Sequence, residues 1–274
     1  AADAIIRPPS SPPDASLSAM ITRLCLVRHG ETAWNAERRL QGHTDIPLND
    51  TGLAQARATA ASLAAEGFDA AYSSDLLRAR QTAEAIAQRC ALAITHDASL
   101  RERHYGHFQA LTYDEARARF PEDYHRFEGR HPDFVFPGGG ESLNGFAARI
   151  RAALERIAAT HPGRKVLVVT HGGVLDVAHR LATGKPLDTP RDFTIPNAAL
   201  NWLGWDEGRW SLIEWARQSH LHGALDDPLR QEFVVPTTHD RRAAETKPDA
   251  IATSTIGFAV CCSSSLARSR RSFM

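Results

Sequence analysis

Three apolar runs in this chain each stop abruptly at a dense polar cluster, and no other feature narrows the choice of fold as much. "LCLV" is followed by "RHGET", "DAAY" by "SSDLLRARQTA", and "VLVV" by "THGG". Each run is short and apolar on both faces, as a central strand of a parallel sheet must be. Helical patterns separate them: residues 51–65 after the turn-forming "NDTG", residues 76–89 opened by Ser73, Ser74 and Asp75, and "VLDVAHRLATG" after the third strand. Strand and helix in alternation predict an α/β fold, a three-layer α/β/α sandwich with a mostly parallel sheet and helices on both faces.

The remaining elements follow from the same reading. Residues 21–27, 68–72 and 165–169 are the strands, and "LTYDEARARF" and "PEDYHRFEGR" read as two short helices. "PGGGES" is a loop, and residues 143–160 carry apolar side chains at helical spacing. "AALNWLGW" and "RWSLIEWA" form a hairpin across Asp206, Glu207 and Gly208.

The ends differ from this middle. Residues 1–19 are rich in proline and serine without periodicity and lack the pattern of a signal peptide, so they read as a disordered lead-in, with Met20 as a candidate start. Residues 225–274 mix charge and serine with no face to bury and read as a disordered tail. One domain, 20–224, remains. Lysine plus arginine and aspartate plus glutamate balance at 32 each, so no overall field draws nucleic acid or an anionic membrane. No run reaches the roughly 20 apolar residues of a membrane span. The four cysteines lack metal-ligand spacing, which fits a reducing, cytoplasmic setting. Oligomeric state is open, a homo-oligomer included.

In a parallel α/β sheet, ligands bind beyond the carboxyl ends of the strands. The three clusters should therefore meet there, and their pooled Arg28, His29, Arg78 and His171, with backbone N–H groups at glycines such as Gly172, suit a phosphate dianion. No Walker loop or dinucleotide fingerprint is present, so side chains would build the pocket. Binding needs the arginines but not two histidines. A neutral imidazole can attack phosphorus, and flanking arginines keep it unprotonated, which makes His29 a candidate nucleophile. A leaving alkoxide needs a proton, and Glu102 in "SLRERHYG" is the candidate donor, since a carboxyl facing a dianion keeps its proton more readily. His104 and His107 lack a third ligand at fitting spacing, so no metal site is expected.

"LVRHGETAWN", "SSDLLRARQTA", "LRERHYG", "GGGES" and "VVTHGG", in this order, resemble the signature blocks of the histidine phosphatase superfamily, the phosphoglycerate mutase-like branch. The resemblance implies that His29 is phosphorylated, that Arg28, Arg78 and His171 hold the phosphoryl group, and that Glu102 is acid and then base. It also implies that Asn35, Gln41, Gly42 and Tyr105 line the substrate side, that the partner is a small phosphorylated metabolite, and that a phosphatase needs no cofactor. Mutases of the family carry a longer insert with a lysine and an arginine pair. Here Tyr113 stands at the lysine position, and Arg126 and Arg130 are single. The expected activity is therefore a phosphatase acting on a small phosphomonoester, with a cofactor-dependent phosphoglycerate mutase as the alternative and a non-catalytic phosphate-binding module as the third.

Overall fold

The structure, a computed structural model, describes residues 21–221, so the expectations for the lead-in and the tail fall outside the described residues. Six strands form one sheet in the order β3-β2-β4-β1-β5-β6. They are β1 (Thr22–Arg28), β2 (Ala70–Ser73), β3 (Ile94–His96), β4 (Lys165–Thr170), β5 (Leu200–Asp206) and β6 (Arg209–Arg217). β1 to β4 run parallel, while β5 is antiparallel to β1 and to β6. The helices are α1 (Ala33–Ala36), α2 (Asp50–Leu63), α3 (Leu77–Cys90), α4 (Tyr113–Arg119), α5 (Pro121–Glu128), α6 (Leu143–Thr160) and α7 (Gly172–Thr183).

Side chains alternate across a strand, and here both faces are apolar. Leu24, Leu26, Val166 and Val168 pack with α6 and α7, whereas Cys25, Val27, Leu167 and Val169 pack with α2 and α3. This is the expected sandwich, and Cys25 is a buried core thiol. From β1 the chain moves outward through β2 to β3 with α2 and α3 on one face. It then reverses through β4 with α6 on the other face, as right-handed crossovers between parallel strands require, and α7 on that same face leads to antiparallel β5. Such a reversal opens a crevice at the carboxyl ends of the strands.

Register fixes what lines that crevice. Arg28 pairs with Thr170 and Ser73 with Val169, so His29, Ser74 and His171 are the first residues beyond one common edge. The His29 N–H donates to the Thr170 carbonyl and the Ser74 N–H to the Val169 carbonyl. Because β5 runs the other way, it is the segment before it, Asn197–Ala199, that arrives at this edge: the Ala198 N–H donates to the Arg28 carbonyl. The hairpin matches expectation, with positive φ at Glu207 and Gly208 between the paired Asp206 and Arg209.

Three local readings need correction. α7 begins two residues earlier than "VLDV", with His171 as N-cap, so both glycines of "THGG" lie in its first turn. The serines before α3 do not cap it: its N-cap is Leu76 without a side-chain bond, and the Leu77 N–H instead donates to Asp45 Oδ1 at 2.6 Å. β3 and α1 have no counterpart in the sequence reading. No helix among the described residues is long and apolar enough to cross a membrane.

Candidate active site

His29 is almost wholly buried at the tip of β1. Its Nδ1 lies 2.8 Å from the Gly30 carbonyl, which can only accept, so Nδ1 carries the proton and the lone pair is on Nε2. Burial, then the Arg78 and Arg28 guanidiniums, hold the imidazole well below its ordinary pKa, and it stays neutral. The backbone around it is pinned from two sides. Asn197 Nδ2 donates to the His29 carbonyl at 2.8 Å, and the Gly30 N–H donates to Thr82 Oγ1 at 3.0 Å.

His171 lies beside it with ring centroids 5.2 Å apart. Its Nε2 is 2.8 Å from Ser74 Oγ, and its buried Nδ1 has no hydrogen-bond partner among the described residues. Burial and Arg78 lower its pKa as well.

Arg78 is fully buried on the first turn of α3, unlike exposed Arg80 two residues on. It donates to the Thr44 carbonyl at 2.9 Å and to the Gly42 carbonyl at 2.8 Å. Among the described residues its bonds go to carbonyls and to no carboxylate, and burial drags its pKa down to about 10. A buried cation bonded only to carbonyls is costly unless an anion completes it. Arg28 donates from Nη1 to the Ile195 carbonyl at 2.6 Å, and its Nε is 3.5 Å from where a β-carbon on Gly172 would stand. The N-terminus of α7, with its N–H groups unsatisfied within the helix, thus opens toward the same space.

Glu102 is not a surface ion pair with its neighbours. Arg101 is occupied by Asp75 at 2.6 Å, and Arg103 turns inward to the carbonyls of Glu141 and Phe134. The Glu102 carboxyl instead accepts the Arg103 N–H at 2.8 Å and the Gly173 N–H at 2.9 Å. A β-carbon at Gly173 would fall 2.2 Å from Glu102 Oε1, so any side chain there would displace the Glu102 carboxyl. Arg149 stiffens the segment, donating to the Ser99, Arg101 and Glu102 carbonyls while paired with Glu141 at 2.7 Å.

The residues expected on the substrate side are arranged less uniformly. Gln41 is buried, and its Oε1 has no partner among the described residues. Gly42 holds φ at +53°, which aims its carbonyl at Arg78. Asn35 spends its Oδ1 on the Thr32 N–H and hydroxyl in a capping box on α1, which leaves only its amide NH2 for a ligand. Tyr105 stands edge-on to Phe127 and Phe136. Burial, then Glu102, raises its phenol well above the ordinary pKa. Among the described residues no three His, Cys, Asp or Glu side chains converge as a metal site. Sequence reasoning missed Ser74, Gly173 and Asn197. The doubled glycine of "THGG" was the available signal for Gly173, while Asn197 carries none.

Residues 24–218 match the profile of the histidine phosphatase superfamily, branch 1. The chain belongs to that superfamily. It is 42% identical over 201 residues to phosphoglycerate mutase-like protein 4 of Arabidopsis thaliana, spanning 72% of this chain and 86% of that one. It is 40% identical over 210 residues to a metal-independent phosphoserine phosphatase of the same plant, spanning 76% and 87%. A mycobacterial glucosyl-3-phosphoglycerate phosphatase, solved with VO3, superposes with a TM-score of 0.64 at 32% identity over 72% of this chain and 99% of the other. This histidine phosphatase is an enzyme that hydrolyses phosphomonoesters, and the resemblance read from five short blocks extends through the whole fold.

Proposed function

We propose that this histidine phosphatase transfers the phosphoryl group of a small phosphomonoester to His29 and then to water. One observation carries the reading: a neutral imidazole with its lone pair on Nε2 lies beside a fully buried arginine that among the described residues is bonded only to carbonyls. His29 Nε2 attacks phosphorus as the bond to the ester oxygen breaks, and Glu102 gives its proton to the leaving alkoxide. Arg28, Arg78 and the first-turn N–H groups of α7, Gly172 included, take the equatorial oxygens, where phosphoryl transfer needs charge neutralisation most. His171 Nδ1–H donates to one of them while its Nε2 accepts from Ser74, which satisfies a nitrogen otherwise buried without a partner among the described residues. Ionised Glu102 then takes a proton from water, whose oxygen attacks phosphorus as the P–N bond breaks. Phosphate leaves, and His29 is neutral again. Gln41, Gly42, Asn35 and Tyr105 border the alcohol part of the ester.

We place this activity in a domain spanning 20–224, a reading supported by the family match to 24–218. The free thiols of Cys25 and Cys90 support a reducing, cytoplasmic setting. The substrates named for two relatives, phosphoserine and glucosyl-3-phosphoglycerate, both carry a carboxylate close to the phosphate. We extend that class to this chain. Incubation with 3-phosphoglycerate, following free phosphate and the 2-isomer together, tests the reading. Phosphate release should exceed isomer formation and need no added 2,3-bisphosphoglycerate. Isomer formation that depends on the bisphosphate with negligible release would overturn it in favour of a mutase.

A further inference from the structure

Asp176 lies on α7 one turn beyond Gly173, whose N–H holds Glu102, so the two carboxylates occupy neighbouring positions along one face of the helix. Asp176 is buried and receives three guanidiniums: Arg130 Nη2 at 2.6 Å, Arg191 Nε at 3.1 Å and Arg180 Nε at 3.3 Å. One carboxylate does not balance three cations. Two of the arginines are spent on the chain itself. Arg180 donates to the Pro186 carbonyl and to the hydroxyl and carbonyl of Thr189, and Arg130 donates to the Leu187 carbonyl at 2.7 Å, tying the end of the α4–α5 region to the same loop. Arg191 differs. Among the described residues its Nη1 and Nη2 have no hydrogen-bond partner, and its side chain is 29% exposed.

The loop that carries Arg191 is fixed to the phosphoryl pocket. Four residues on, the Ile195 carbonyl accepts from Arg28, and Asn197 holds the His29 backbone. On its other side Arg191 meets the end of the lid at Asp176, the carboxylate it shares with Arg130, which follows α5. Burial raises the phenols of Tyr105 and Tyr113, the latter to about 12, and the Arg191 guanidinium opposes the rise at both. Asp176, which orients Arg191, lies one turn beyond Gly173, which holds Glu102, so Arg191 stands near both the lid's end and the Glu102 carboxyl. A structural role alone would be to neutralise Asp176, but Arg130 and Arg180 already do so. The third arginine is surplus to the carboxylate that orients it.

We propose that Arg191 is a specificity-determining residue whose two terminal nitrogens form a fork for a carboxylate on the alcohol part of the substrate, while the pocket around His29 holds the phosphoryl group. The proposal rests on the phosphatase reading above and names the group that reads the substrate class. A single planar fork matches a carboxylate bidentately. A second phosphate dianion would call on a further cation, and Arg130 and Arg180 are engaged by the loop.

The test uses the full chain with O-phosphoserine and O-phosphoethanolamine, which differ only by the carboxylate. Arg191→Ala should lower the ratio of kcat/KM for phosphoserine to that for phosphoethanolamine on the order of 10- to 100-fold, chiefly through KM, the worth of a charge-assisted pair. Arg191→Lys should restore part of it. An unchanged ratio, with or without a common loss on both esters, would overturn the proposal. Calorimetric binding of phosphoglycolate and methyl phosphate gives an arm independent of turnover. Wild-type preference for phosphoglycolate that Arg191→Ala abolishes supports the proposal even if neither ester is hydrolysed, a result that would sink the phosphatase reading alone. Equal binding of the two in the wild type would sink the carboxylate fork, whatever the turnover.

Discussion

The phosphoryl side of the site and its lid are built from different material. His29, Ser74 and His171 are the first residues past three paired strands, and their backbones are set by sheet register. The lid, from Tyr105 to Phe136, folds around a small core of its own, in which Leu40, Phe108, Ala116, Tyr124, Phe134 and Phe136 are buried apart from the two clusters that cover the sheet. Arg103 staples that core from beneath, its guanidinium 4.6 Å from the Phe136 ring centroid and its pKa lowered to about 10 by burial. The sheet edge therefore fixes His29, Ser74 and His171, while the lid is a separately packed unit joined to the body through Arg130 on Asp176 and Arg103 on the Phe134 carbonyl. Such a division lets a fold keep its phosphoryl chemistry while the lid changes the ester it accepts.

The largest effects should separate the two sides by leaving group. Glu102→Gln is expected to slow alkyl phosphates about 10²–10⁴-fold and aryl phosphates much less, because an aryl oxide leaves with little protonation. Arg78→Ala should slow both classes alike, by about 10²–10³-fold, as removal of a transition-state charge partner does. Equal losses on both classes for Glu102→Gln would remove it from the acid role.

A stability measurement probes the lid. Phe136 is fully buried, and Phe136→Ala should cost about 3–5 kcal/mol of local stability from lost transfer energy and the cavity left behind. Hydrogen exchange should accelerate first in α4 and α5 and least in β1 and β4. Uniform acceleration would show that lid and sheet unfold as one unit, and the comparison would fail.

The smallest effect is on pH. His29 and His171 are held neutral by burial and by the guanidiniums, so below about 6.5 the unfolded chain binds protons that the folded one refuses. Stability should be full above that pH and fall as pH drops toward the depressed folded values, by up to about 1.4 kcal/mol per unit for each imidazole. Urea midpoints between pH 7 and pH 5 should fall less steeply in His171→Asn than in the wild type. Equal slopes would mean that His171 accepts a proton in the folded state.

What was legible in the chain follows the same division. β1 and β4 end where an apolar run meets a charged cluster, and that boundary located Arg28, His29 and His171 at once; α6 was read at its observed bounds from periodicity. β3 escaped because it is a three-residue edge strand with one apolar side chain, and α1 because it is a single turn, although Thr32 and Asn35 stand at capping-box spacing. The start of α7 was misread because its Gly173 N–H is satisfied by Glu102, 71 residues away, and no local cap announces it. Ser74 read as a cap for the same reason, its partner being His171. Arg191 sits in "TPRDFT" with no periodicity to mark it, and only the folded position of Asp176 gives it a role. Local pattern found the strand-end residues; contacts between distant segments, such as Arg191 on Asp176, left no local trace.

The central claim is that His29 is the phosphoryl acceptor. Turnover of a labelled phosphomonoester, quenched rapidly, should yield protein-bound phosphate that is stable to alkali, lost in acid and carried by the peptide containing "LVRHGETAWN", with label and activity both gone in His29→Ala. Undiminished turnover in that variant, or label on any other peptide, would contradict the account.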